Sequence, residues 1–206
     1  MFQGASELSL DVKGRMARYG RSPDDLFIIP GAMIVAGRTD EEAHEKHHRF
    51  KESIDLEFGI LYLSGLVRTD LSHLPLDEPL PDSLRQTPAW SRLELVMDIS
   101  RRGSMTFREI AIHYADTYGH QFIVGSPQTV ADELQRLFEE RAADGFVLRA
   151  PIYPEGVQEI VSLVIPELQR RGLAQTEYLG STFRENLGLP RPLHPAMRAA
   201  KRAAAE

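Results

Sequence analysis

Apolar positions recur along the chain in two rhythms, one helical and one of short unbroken runs, and their alternation predicts layered α/β architecture. Asp11 to Tyr19 has the pattern of a short helix closed by Gly20 and followed by the turn Ser22-Pro23-Asp24-Asp25. Leu26 to Val35 reads as a buried strand bent at Pro30-Gly31. Thr39 and Glu42 form a capping-box pair ahead of a helix whose face carries Ala43, His47, Phe50 and Ile54. Phe58 to Leu66 is apolar but holds Gly59 and Gly65, and with the Pro-rich excursion from Leu74 to Pro88 it is expected to be irregular.

Periodicity returns further on. Trp90 to Arg101 reads as a helix stopped by Gly103, and Thr106 with Glu109 opens a helix from Phe107 to Tyr118 whose stripe is Phe107, Ile110, Ala111, Tyr114 and Tyr118. His120 to Val124 is short and extended. Ser126 as N-cap and Pro127 in the first turn start the best-specified helix, with Val130, Leu134, Leu137 and Phe138 on one face. Phe146 to Leu148 is a short buried strand between Asp144-Gly145 and Pro151. The last helix should bury Val157, Ile160, Val161, Val164 and Leu168, kink at Pro166 and end at Gly172, and the tail 194–206 should fray. A closed (β/α)8 barrel takes about 250 residues and eight strands, and these strands are too few to close one.

Composition narrows the function classes. With 206 residues, 42% hydrophobic and 26% charged, the chain is expected to be a single domain over 1–206. A formal charge of -6 with scattered basic residues points to neither nucleic acid nor membrane, and without a long apolar run the chain is expected to be cytoplasmic. The chain has 0 cysteines, which excludes disulfides, thiolate catalysis and thiolate metal sites.

Each candidate site has a plainer reading beside it. His44-Glu45-Lys46-His47-His48 matches the H-E-x-x-H pattern of zinc peptidases, with His44 and His48 as ligands and Glu45 as the base. However, the apolar face of its helix runs through His47, which turns His44 and His48 toward solvent; no metal is expected. His120, after Gly119, is either a turn histidine or a group projecting into a pocket. Gly125-Ser126-Pro127 offers helix N-terminal N–H groups to a phosphate or simply caps a helix, and Gln3 to Ser6 is a weaker feature of the same kind. Tyr114, Tyr118, Phe122 and Phe146 either line a pocket or build core. Arg149, just past a buried strand, needs a partner or an opening to solvent. No P-loop, G-x-S-x-G or G-x-G-x-x-G is present.

Several blocks together resemble the luciferase-like flavin-dependent monooxygenases, in the branch of the nitrilotriacetate, dibenzothiophene-sulfone and long-chain-alkane enzymes. They are Asp11 to Gly31, Gly119 to Leu134, Ala143 to Pro151, Val164 to Gly172 and Thr176 to Pro192. The resemblance implies the C-terminal part of a TIM barrel, helix-rich, with Leu26 to Val35 and Phe146 to Leu148 as the last two barrel strands and a helical insertion between them. It also implies reduced FMN from a separate flavin reductase, O2 activation through a flavin hydroperoxide, and a small-molecule substrate. His120 matches the family's active-site histidine. Phe146 and Arg149 would sit at the end of the last strand, toward substrate, and Ser6 matches a cofactor-binding position. Family members are roughly twice as long as this chain, so most of the flavin site is expected to be missing and the chain inactive alone. A homo-oligomer or a complementary chain is then expected; a non-catalytic remnant or interaction subunit is the alternative, with a zinc peptidase behind both.

Overall fold

The computed structural model describes residues 5–86, 91–189, 194 and 197; Trp90, Gln3, Gly4 and nearly all of the tail expected to fray lie outside them. The sheet consists of β1 (Gly31–Ala36), β2 (Gln121–Gly125) and β3 (Val147–Arg149), all parallel in the order β2-β1-β3. The register sets Ala32 beside Gln121 and Ala36 beside Gly125 on one flank, and Gly31 beside Val147 and Met33 beside Arg149 on the other. The first strand starts later than its apolar run suggests. Pro30 has no N–H for a ladder, and residues 26–30 are held instead by Asp144, whose carboxylate accepts from Ile28 N and whose N–H donates to Ile28 O.

Side chains alternate across this sheet. Ala32, Ile34, Ala36 and Ile123 face α6 (Pro127–Glu139) and the last helical stretch, burying Val130, Ala131, Leu134, Ile160, Val164 and Leu168. That stretch runs as α7 (Glu155–Glu159), a π-helical turn (Ile160–Val164) and α8 (Ile165–Arg170). The wide turn falls just before Pro166, where a backbone donor is missing. Ile160, Val164 and Leu168 are buried as the spacing predicts, whereas Val157 and Val161 are 39% and 56% exposed. Glu167 accepts from Arg171, which also reaches Asp132, fastening α8 to α6.

The other face carries Gly31, Met33 and Val35, flanked in register by Phe122, Val124, Val147 and Arg149. Here α2 (Asp40–Glu52) approaches, His47 stacking on Phe122 at 4.5 Å between ring centres. Thr39 caps α2 by accepting from Glu42 N.

The run expected to be irregular is a helix, α3 (Leu56–Val67). Asp55 caps it by accepting from the N–H groups of Glu57 and Phe58, a side-chain cap that outweighs two glycines. Gly59 has a packing reason: a Cβ there would lie 3.0 Å from the Ala111 carbonyl of α5 (Phe107–Thr117). Together with α4 (Ser91–Arg102), α3 and α5 enclose a second core of Leu63, Val67, Leu93, Val96, Phe107 and Ile110. Leu71, and Leu80 and Leu84 of the Pro-rich excursion, enter the same core. Thr106 and Glu109 form a complete capping box on α5. Among the described residues the first element is α1 (Ala5–Arg15), starting earlier than its pattern suggests, and Lys13 ties it to Asp144 at 2.5 Å. After α8 comes the single turn α9 (Phe183–Asn186). Among the described residues no helix is long and apolar enough to cross a membrane.

Candidate functional site

The turn from α5 into β2 places His120. Tyr118 and Gly119 both take positive φ, 50° and 73°, a reversal that glycine makes without strain. The Gly119 N–H donates to the Thr117 hydroxyl and the His120 N–H to the Thr117 carbonyl. The imidazole then lies over Gly31, where a Cβ would come within 2.7 Å of His120 Nδ1. Gly31 is therefore a seat for this ring.

From β3, Arg149 Nη1 reaches His120 Nε2 at 2.8 Å. A guanidinium only donates, so Nε2 must accept, and the ring is neutral with its proton on Nδ1. Burial holds the His120 pKa below the ordinary histidine value, and the charges of Arg149 and Arg92 push the same way. Tyr62 of α3 meets Tyr118 edge-on, 5.2 Å between ring centres. Burial raises the pKa of Tyr62, opposed by Arg92 and Arg149. Tyr114 is only 3% exposed and its hydroxyl has no hydrogen-bond partner; burial pushes its pKa up to about 12. Both phenols stay protonated at neutral pH and serve as donors.

His120 and Arg149 are thus brought together. Phe146 turns instead to the helix-covered side, where with Leu134, Leu148 and Ile165 it lines a cavity of about 350 Å³. Ser6 lies in the first turn of α1, and the helix docks through Lys13 at Asp144. The residues not singled out beforehand are Tyr62 and Arg92. Tyr62 falls in the run taken to be irregular, and Arg92 has no signal in the sequence, since only the folding of α4 beside α3 brings its charge to Tyr62 and His120.

The remaining motifs have local explanations. His44 Nδ1 bonds the Asp40 carbonyl and His48 pairs with Glu52, both on the exposed side of α2. His47 is the inward histidine, its Nε2 set 3.1 Å from both oxygens of the buried Asp116. Among the described residues no three His, Asp or Glu side chains gather as a metal site. At the start of α6, the Ser126 N–H and the Thr129 hydroxyl both donate to Asp40 at 2.7 Å. The chain's own carboxylate holds the place where a phosphate would bind, and these hydrogen bonds lower the Asp40 pKa.

No protein-family model matches the chain. It is 40% identical to nitrilotriacetate monooxygenase component A of Aminobacter aminovorans over 184 residues, 88% of this chain and 41% of that protein. It is 33% identical to dibenzothiophene-sulfone monooxygenase of Rhodococcus erythropolis over 187 residues, again 88% of this chain and 41% of the relative. The crystal structure of DmoA from Hyphomicrobium sulfonivorans superposes with a TM-score of 0.79 at 27% identity, over 96% of this chain and 42% of that one. Fold and alignment mark the chain as a partial luciferase-like protein. Its homologues are the nitrilotriacetate, dibenzothiophene-sulfone and long-chain-alkane monooxygenases, and the chain spans less than half the length of each.

An isoalloxazine ring and its phosphate need a walled slot and free N–H donors. Here the donors at the start of α6 are taken by Asp40, and Val147 on the edge strand is 53% exposed. The described residues supply one wall and do not by themselves fit FMN.

Proposed function

We propose that the chain is the C-terminal part of a two-component FMN-dependent monooxygenase barrel, using O2 and reduced FMN supplied by a separate flavin reductase, and that alone it is catalytically inactive. The observation that supports this most directly is the His120–Arg149 pair, seated on Gly31 on the sheet face not packed against α6 and α8. When bound, FMN would supply the oxygen chemistry. The chain's own residues would wall the reaction site and hold a neutral imidazole, its proton on Nδ1. Val147, Tyr153 and Val161 are 53%, 68% and 56% exposed along β3 and the start of the last helical stretch. That apolar margin supports a covering chain, either the rest of the barrel or a second copy, and it equally favours the second reading, an interaction subunit without catalysis.

Anaerobic titration with reduced FMN tests the assignment. The chain alone should show no saturable binding. Co-expressed with the portion of nitrilotriacetate monooxygenase component A that it does not match, it should bind FMN, and His120→Ala should cut turnover at least tenfold in the presence of a reductase. Tight binding by the chain alone would overturn its incompleteness; a correctly assembled complex that binds no flavin would overturn the oxygenase reading and leave the interaction subunit.

A further inference from the structure

Helix α3 carries a single charged side chain, Glu57, in its 12 residues. A helix apolar on every side is ordinarily enclosed on every side, and this one is enclosed on one side only. Leu63 and Val67 lie in the helical core, with Gly59 against α5. On the opposite side Leu61 is 71% and Phe58 45% exposed. Gly65 is exposed there too, and a Cβ at that position would meet nothing within 4 Å. The exposed C-cap residue Arg68 follows. Phe58, Leu61, Gly65 and Arg68 succeed one another at intervals of three, four and three, the spacing of a stripe along which one helix packs on another.

We propose that the outer face of α3 is a two-fold interface through which the chain pairs with a second copy of itself. Reversed, the stripe matches itself in both bulk and charge. When two α3 helices lie antiparallel and centred at the level of Leu63, position 61 of one copy falls opposite position 65 of the other. Each Leu61 side chain then enters the open space over the partner's Gly65. Position 58 falls opposite position 68, which sets the Phe58 ring against the guanidinium of the partner's Arg68. Glu57, one residue before Phe58, faces the same positive charge. The two helix dipoles run in opposite directions, and the two-fold axis makes every contact twice. This match of bulk to gap and of acid to base is what favours a second copy over an unlike covering chain. The surface is separate from the apolar margin of β3, and pairing through it needs no flavin.

Sedimentation of the full chain over about 1–200 μM tests the pairing, a range suited to a contact at the small end of interface sizes, below about 1,200 Å². A reversible dimer is expected. Leu61→Glu and Gly65→Glu should each weaken it at least about tenfold and leave the helical circular dichroism unchanged, since both positions are exposed. Val161→Glu, at the β3 margin and 56% exposed in the wild type, should leave the dimer intact. The chain has 0 cysteines, so introduced thiols report the register without background. Leu61→Cys chains mixed with Gly65→Cys chains should form disulfides under mild oxidation faster than either variant alone, because the bond needs Cα atoms within about 7 Å. Should a glutamate variant lose helicity, the cysteine mixture decides. A chain that stays monomeric, a dimer undiminished in both α3 variants, a dimer abolished by Val161→Glu, or a mixture that crosslinks no faster than its components would each overturn the α3 pair.

Discussion

The helical region between β1 and β2 and the three-stranded sheet solve opposite problems. α3, α4 and α5 close on one another, and Leu63, Val96, Phe107 and Ile110 are entirely or almost entirely removed from solvent. α6 and α8 cover one face of the sheet; α2 approaches the other, where Met33 and Val35 are buried and an arginine reaches a neutral histidine near the phenols. Stability is concentrated where apolar surface meets apolar surface, and candidate chemistry at the exposed edge strand, where Arg149 reaches His120. Substitutions should therefore separate the two regions, with stability lost in one and only ligand-dependent properties changed in the other.

The largest effect is expected at Phe107, 0% exposed at the centre of the helical core. Phe107→Ala should lower unfolding free energy by about 3–5 kcal/mol in denaturant titration; a loss below about 1 kcal/mol would mean that this core contributes little. The joint between the regions comes next. Asp116 of α5 is 5% exposed and holds His47, whose ring stacks on Phe122 of β2. Asp116→Ala should cost about 1–3 kcal/mol, as expected when a buried partner is stranded, and should move the Phe122 ring resonances. In the covered face of the sheet, Ile34→Val should cost about 0.5–1.5 kcal/mol, less than the loss at Phe107.

Two histidines sharpen the contrast without changing the core. Burial depresses the pKa of both His113 and His120; at His120 the guanidiniums of Arg149 and Arg92 add to it, whereas at His113 Asp116 opposes it and Lys51 reinforces it. A depressed pKa means that the unfolded chain binds the proton first. The stability each contributes is whole above the unfolded value of about 6.5 and is lost as pH falls through the folded value. His113→Phe should accordingly flatten the acid limb of the stability profile below about pH 6.5; an unchanged limb would refute the burial of that ring. About 0.5 M salt should raise the pKa of His120 and leave that of His113 nearly unmoved, since screening acts on the arginine charges. The smallest effect on stability belongs to Arg149→Gln, within about 0.5 kcal/mol, because that side chain is exposed and among the described residues pairs with His120 alone.

Elements with a local cause were legible in the residues. Thr106 with Glu109 and Ser126 with Pro127 name their own helix starts, and both caps form as their spacing predicts. Phe58 to Leu66 was not legible, because its helix packs on α5, where a Cβ at 59 would lie 3.0 Å from the Ala111 carbonyl. The same holds for β1, whose apolar run says "buried" but whose start is set by Asp144, more than a hundred positions away.

The sequence by itself determined the caps and the apolar stripes, since each rests on residue type and short spacing; its longer blocks carried the family resemblance and offered His120 and Arg149 as candidates. The tertiary structure decided that these two side chains meet with His120 over Gly31, that Phe146 turns to the helix-covered side, that Asp40 fills the start of α6, and that Tyr62 meets Tyr118 edge-on. Those outcomes depend on which faces of separate elements come to oppose one another, and that is settled only when long-range packing outweighs local preference.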